Sequence, residues 1–172
     1  MNSENNMPRR KKNRLEKYDY SSCGAYFITI CTFQRQNCLW NDVGATTGRL
    51  PDFELSHYGN IVDGAIKDIP FIYPEISVDD YVIMPNHVHI LMTIRSGDDG
   101  RPMVAPTPTV SRVVNQLKGA VSKKAGKPIW QKSFYDRVIR NDEEYFGHMK
   151  YIRENPVRLY YDELYNEKPG RD

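Results

Sequence analysis

Three cysteines in 172 residues are too few, and odd in number, for a disulfide frame. Cys23, Cys31 and Cys38 also lack the paired spacing of a structural zinc site, so they read as reduced thiols. No apolar run approaches the roughly 20 residues that cross a bilayer, and the polar, basic N-terminus has no signal-peptide pattern. A cytoplasmic protein with no membrane partner is therefore expected. No internal repeat is present, which argues against a solenoid or propeller. An excess of charge is missing too. With 24 Lys and Arg against 22 Asp and Glu, the formal net charge is only +2, so the placement of charge matters more than its sum.

The length suits one domain with a proper core and is short for two. One domain over residues 1–172 is expected, with a basic N-terminal arm over about 1–19 and a C-terminal tail over about 157–172. Arg9, Arg10, Lys11, Lys12 and Arg14 make that arm a solvated tail or, in a nucleic-acid protein, a phosphate-neutralising segment.

The most informative segment is Asn86-His87-Val88-His89-Ile90, inside the apolar run from Tyr81 to Met92. On a strand, side chains alternate between faces, so His87 and His89 point one way while Val88 turns into the core. Two neutral imidazoles on one face form half a site for a divalent metal. Alone, they read sooner as two half-exposed histidines on a sheet face.

A second segment runs from Asn141 to Pro156. Asn141 is an N-cap, Glu144 stands where a capping-box partner belongs, and acidic residues fill the first turn. Pro156 disfavours helix in the residue before it, so the helix is expected to stop at about Asn155. Tyr145, Met149 and Ile152 make one apolar stripe, and Glu144, His148, Tyr151 and Asn155 make a neighbouring one. A tyrosine and an amide one turn apart can reach into the same cleft.

Elsewhere, alternation places strands at about Ala25–Phe33, Ile76–Met84, His87–Ile94 and Phe134–Arg140. A small hairpin is expected from Cys38–Trp40 and Arg49–Leu50 around Gly44–Gly48, and a loop over Ser96–Pro108. One helix starts near Ser56, carries Tyr58, Ile61, Val62 and Ile66, and ends before Pro70. Another spans about Val110–Lys124, with Val113, Val114, Leu117 and Val121 inward and Arg112, Lys118, Lys123 and Lys124 outward. Strand, helix, strand, strand, helix, strand is the split β-α-β order. The expected fold class is α+β, a ferredoxin-like antiparallel sheet with helices packed on one face.

Three blocks, in this order and spacing, resemble the single-tyrosine HUH transposases and, within them, the REP-associated tyrosine transposases. Tyr81–His89 is similar to the family's metal-binding strand, "HUH" standing for His, a hydrophobic residue and His. Ile129–Asn141 resembles the strand that leads into the catalytic helix, and Tyr151–Pro156 resembles the nucleophile segment. The resemblance covers most of the chain. It implies that Tyr151 is the nucleophile and that His87, His89 and Asn155 are metal ligands, the last a place held by Gln in some relatives. His148, one turn before Tyr151, is a candidate helper.

That resemblance implies a metal-dependent enzyme of prokaryotes that works near the nucleoid. It would cleave single-stranded, hairpin-associated DNA through a 5′-phosphotyrosine and rejoin the strand. An amide beside two imidazoles suits a hard, hexacoordinate Mg²⁺ or Mn²⁺ better than zinc. Arg137, Arg140, Arg153 and Arg158 are candidate phosphate contacts, and Trp130, Phe134, Tyr135 and Tyr20 candidate stacking surfaces or core residues. A homodimer and a monomer both fit. Two further readings stay open: a non-catalytic hairpin-binding regulator, and another HUH endonuclease such as a replication initiator or relaxase. Tyr145 projects with the apolar stripe, which weighs against a two-tyrosine mechanism.

Overall fold

A computed structural model of the chain describes residues 23–41, 54–95 and 109–166, with side chains as far as Arg158. The basic arm, the turn Gly44–Gly48 with Arg49–Leu50, and the Ser96–Pro108 loop lie outside the described residues.

Four strands form the sheet: β1 (Gly24–Cys31), β2 (Ile76–Met84), β3 (His87–Ile94) and β4 (Tyr135–Val138). Their order is β2-β3-β1-β4 and every neighbouring pair is antiparallel. The helices between them are α1 (His57–Lys67), the single-turn α2 (Ile69–Ile72) and α3 (Val110–Lys124), and α4 (Asp142–Asn166) follows β4. Two interlocked β-α-β units result, with β1 and β3 central, as the element order had implied.

Period-two alternation sorts the central strands. Tyr26, Ile28 and Ile30 of β1 and Val88, Ile90, Met92 and Ile94 of β3 face α1 and α3 and build the main core. Val62, Ala65 and Ile66 of α1 and Val110, Val113, Val114, Leu117 and Val121 of α3 complete it. Caps fix both helix starts. Ser56 Oγ accepts from Gly59 N and donates to the Cys38 carbonyl, and Thr109 Oγ1 accepts from Arg112 N. Gly59 has to be glycine, since a Cβ there would stand 2.1 Å from the Leu39 carbonyl oxygen. Trp130 and Phe134 also belong to this core, so neither offers a face to unpaired bases.

The opposite face is thinner. Phe27, Leu91 and Ile152 form its small cluster, with Val82, Ile139, Tyr145 and Met149 partly buried around them. α4 crosses this face, so the sheet is helix-covered on both sides, by α1 and α3 on one and by α4 on the other. Of α4's described side chains only Ile152 and Asn155 are buried. Polar pins supplement that contact. A bulge between Val78 and Asp80 of β2 brings Asp79 to Tyr145 and Asp80 to Arg153, the latter at 3.0 Å. Ile152→Ala is expected to cost about 2–5 kcal/mol of stability, read as a lower urea midpoint at an unchanged slope.

Several local expectations need correction. α4 does not stop at Asn155 but continues through Pro156 to Asn166. The bias against helix before proline is a preference of moderate size. Here fourteen residues of formed helix precede the ring, and the Glu154–Arg158 ion pair spans it. Pro70 does more than follow the end of α1, which stops at Lys67, before it, as expected. It sits in the first turn of α2, where its missing N–H has no partner to lose. β1 ends at Cys31 and β4 covers only Tyr135–Val138, both shorter than expected. Trp40 bridges to Leu55, and the expected pairing with Arg49–Leu50 lies outside the described residues. Lys118 is not a free cation on an outer face: its Nζ donates to the Gln131 and Lys132 carbonyls at 2.6 and 3.0 Å, holding the segment before β4.

Candidate active site

The face of the sheet beneath α4 carries the histidine pair. β3 presents His87 and His89 on the same side, with ring centroids 4.7 Å apart. Antiparallel pairing sets Thr29 opposite His89 and Cys31 opposite His87. Thr29 Oγ1 lies 2.8 Å from His89 Nδ1, and Asn86 Oδ1 accepts from His87 Nδ1 at 2.7 Å. A carbonyl oxygen only accepts, so His87 carries its proton on Nδ1 and leaves Nε2 as a bare lone pair. Both imidazoles are held neutral. Burial lowers the pKa of His87, with Arg35 adding to it. Burial, then the charges that His87 and His148 would carry, push His89 down to about 3.

His89 is 6% exposed, and its Nε2 is buried with no hydrogen-bond partner among the described residues. An unmatched buried nitrogen is costly unless something fills its valence. The amide nitrogen of Asn155, a residue 9% exposed, is likewise buried and unpartnered among the described residues. Turning that amide over about its last bond presents the oxygen in the same place. Two orphaned polar groups and a second imidazole with a bare lone pair suit a divalent cation. Among the described residues no three of His, Cys, Asp and Glu gather as a metal site, so a closed zinc-type set is absent there.

α4 brings its polar stripe to the same place. The Tyr151 ring meets His89 edge-on at 5.2 Å and Phe27 at 6.0 Å. One turn earlier, His148 stacks on Phe27 at 4.2 Å. Phe27 also stacks against His89 at 5.0 Å, so it forms the floor between strand and helix. The helix thus passes from Phe27, under His148, to His89, under Tyr151. Burial lowers the pKa of His148, and Arg137 lowers it further against the opposing charge of Glu144. Tyr145, in contrast, packs into the small cluster and bonds to Asp79, which with burial raises its phenol pKa.

A cleft of about 410 Å³ opens here, walled by Phe27, His89 and Arg137 on the sheet and by α4 from Glu144 to Tyr151. Glu144 organises its far end. One oxygen takes Arg137 Nη2 at 2.8 Å and the other takes the Arg140 backbone N–H at 3.1 Å. The capping box therefore closes one residue earlier than expected, on Arg140, while Asn141 Oδ1 caps the Glu144 N–H at 2.8 Å. Arg137 and the backbone of Arg140 hold the Glu144 carboxyl below its ordinary value.

The candidate phosphate contacts separate. Arg137 borders the cleft. Arg153 pairs with Asp80 on β2, and Arg158 pairs with Glu154 at 2.7 Å. Arg140 meets Glu144 through its backbone N–H, and its charge also acts on that carboxylate. Arg9, Arg10, Lys11, Lys12 and Arg14, with Tyr20, lie outside the described residues. Tyr135 is half exposed beside β1. Sequence reasoning missed Phe27 as the floor, Thr29 as the partner of His89 and Asp80 as the anchor of Arg153. Each depends on strand pairing or on the bulge, and the alternation in β1 was the only available signal.

No protein-family model matches the chain. Among curated proteins it is similar to an uncharacterised protein of Haemophilus influenzae, 31% identical over 173 residues, covering 91% of this chain and 93% of that one. It is 27% identical over 157 residues to a second Haemophilus influenzae protein, provisionally described as a REP-associated tyrosine transposase, covering 88% and 80% of the two chains. It is also 31% identical over 93 residues to the REP-associated tyrosine transposase of Escherichia coli, which is 54% of this chain and 48% of that one. A solved structure of a REP-associated tyrosine transposase bound to a REP hairpin superposes with a TM-score of 0.61 at 24% identity. That match covers 85% of this chain and 74% of the other, and it shows a shared fold. Among the described residues no helix is long and apolar enough to cross a membrane.

Proposed function

We propose, on the premise that this chain belongs to the REP-associated tyrosine transposase family, that it cleaves and rejoins single-stranded DNA beside a hairpin, with Tyr151 as nucleophile. The observation that carries this reading is the Tyr151 ring set edge-on against His89, whose Nε2 is buried and unpartnered among the described residues. The hairpin bound to the structural relative supports DNA of that shape as the partner.

His87, His89 and Asn155 would hold a divalent cation, and two imidazoles with an amide oxygen favour Mg²⁺ or Mn²⁺. Such a cation, when bound, supplies Lewis-acid stabilisation of the charge that grows on the phosphoryl oxygens. The protein's own groups do the rest. The Tyr151 hydroxyl oxygen attacks phosphorus, forming the Oη–P bond while the P–O3′ bond breaks. Its proton passes to a neutral acceptor, for which His148 is suited by burial and by its place one turn away. The departing 3′-oxygen leaves as a hydroxyl after taking a proton from solvent. Rejoining reverses these steps, with a new 3′-hydroxyl attacking phosphorus and Tyr151 as leaving group, so no outside energy source is needed.

Arg137, at the cleft, is the described cation best placed to meet the backbone of the strand. All three arginines are paired with carboxylates, Arg137 with Glu144, Arg153 with Asp80 and Arg158 with Glu154, but of these only Arg137 lines the cleft. The basic arm would add phosphate contacts outside the site, with the whole chain acting as one domain.

Incubating the protein with hairpin-bearing single strands and Mn²⁺, then denaturing, tests this reading. A label at the 3′ end should travel with the protein, a label at the 5′ end should not, and EDTA should remove the adduct. Retained hairpin binding with no adduct from either label would leave only the non-catalytic alternative.

A further inference from the structure

Gly147 stands inside α4 where neither backbone nor packing asks for a glycine. It sits in regular helix, and a Cβ built there would meet no atom within 4 Å among the described residues. Glycine is a poorer helix former than alanine at such a position, and this is the helix with the thinner hold on the sheet. Its distinguishing feature is location. Glu144, Gly147 and Tyr151 follow one another at i, i+3 and i+7, and all three line the cleft, with Phe27 and Arg137 across from them. The missing side chain keeps that space open.

The walls indicate what fits the space. His148 supplies a flat ring above the buried Phe27, whose own ring is stacked with His148 and His89, and the cleft's volume of about 410 Å³ falls in the small-molecule range of about 300–1,000 Å³. At its far end Glu144 and Arg137 hold an acceptor and a donor side by side, 2.8 Å apart. Each Glu144 oxygen already takes one hydrogen bond, and a carboxylate has lone pairs for more. An unpaired nucleobase offers a stacking face together with an edge of adjacent donors and acceptors. A lipid tail would leave the ion pair unmatched, and a bare phosphate would leave the ring unused.

We infer that the Gly147 notch seats one unpaired base next to the phosphate that Tyr151 attacks, stacked on the aromatic wall and read at its edge by Glu144 and Arg137. This rests on the strand-cleavage reading above and adds a protein pocket that selects a nucleotide at the cut.

Mapping the cleaved phosphate with Mn²⁺, then replacing each flanking nucleotide in turn by an abasic unit, tests the seat. Wild type should lose roughly 10-fold in cleavage rate when the seated base is removed, the scale of one stacked base. Gly147→Leu should show a similar loss on the intact strand and little further loss on that abasic strand. Equal cleavage of every abasic strand by wild type, or equal slowing of both strands in the variant, overturns the proposal. Both Gly147→Ala and Gly147→Leu should melt at or above wild type, since each is a better helix former, which separates a blocked seat from a damaged fold. If wild type forms no adduct at all, the cleavage reading fails. Fluorescence of 2-aminopurine placed beside the hairpin still decides the seat: quenched on binding to wild type and not to Gly147→Leu if it exists, equally quenched with both if it does not.

Discussion

Tyr151→Phe is expected to abolish the covalent adduct and to lower strand cleavage by about 10⁴-fold or more, the scale of losing a covalent nucleophile. Phenylalanine keeps the ring that meets His89 and Phe27 edge-on and removes only the oxygen. Because the side chain is partly exposed, its stability should change by no more than roughly 0.5 kcal/mol. Hairpin affinity, measured by gel shift, should stay within about threefold of wild type. Tyr145 cannot take over: it lies on the apolar stripe, hydrogen-bonded to Asp79, with its phenol held protonated. An adduct surviving in the variant would remove Tyr151 from the nucleophile's role.

His89→Gln should have the next largest effect, with two separate readouts. Mn²⁺ affinity is expected to fall by at least about 100-fold, since even outer-shell partners of metal ligands are worth 10–100-fold. The second readout is stability in acid without metal. The His89 pKa is about 3 in the fold and near 6.5 in the unfolded chain, so the unfolded state takes up the proton first as pH falls. Its effect on stability is absent above pH 6.5 and grows progressively more unfavourable toward pH 3. By pH 5 the loss from this group is on the order of 2 kcal/mol. The lowered pKa values of His87 and His148 act in the same direction. Urea melts of the chelated protein at about pH 7.5 and pH 5 should show this loss in wild type and a clearly smaller one in the variant. Equal slopes would mean that His89 takes up its proton in the folded state as readily as in the unfolded one.

Local chemistry made much of this fold readable. The bounds expected for β2, β3 and α3 are those observed, because alternating apolar residues, the Pro85-Asn86 bend and the Thr109 cap all act within a few residues. The stripe of Glu144, His148 and Tyr151 was legible for the same reason. Helical periodicity placed them on one face, and that face borders the cleft. What stayed hidden depends on distant partners. Arg153 looked like a phosphate contact because Asp80 lies 73 residues away and reaches it beside a bulge that alternation does not reveal. Lys118 looked solvated because its acceptors are two carbonyls of an irregular segment. Phe27 was one apolar residue among many until the β1–β3 register set it opposite Leu91, two residues along β3 from His89. Pro156 misled for a different reason: a local preference of moderate size met a helix already long enough to absorb the break.

The two faces of the sheet differ in what they contribute. The side that packs α1 and α3 holds most of the buried apolar residues, whereas the histidines, Tyr151 and the cleft lie on the sparsely packed side. Sequence drift can therefore reshape or silence the chemistry while leaving most of the folding energy intact. Descendants of such a gene could keep their shape long after losing their catalytic groups, and recognition by fold alone would not tell the active copies from the inert ones.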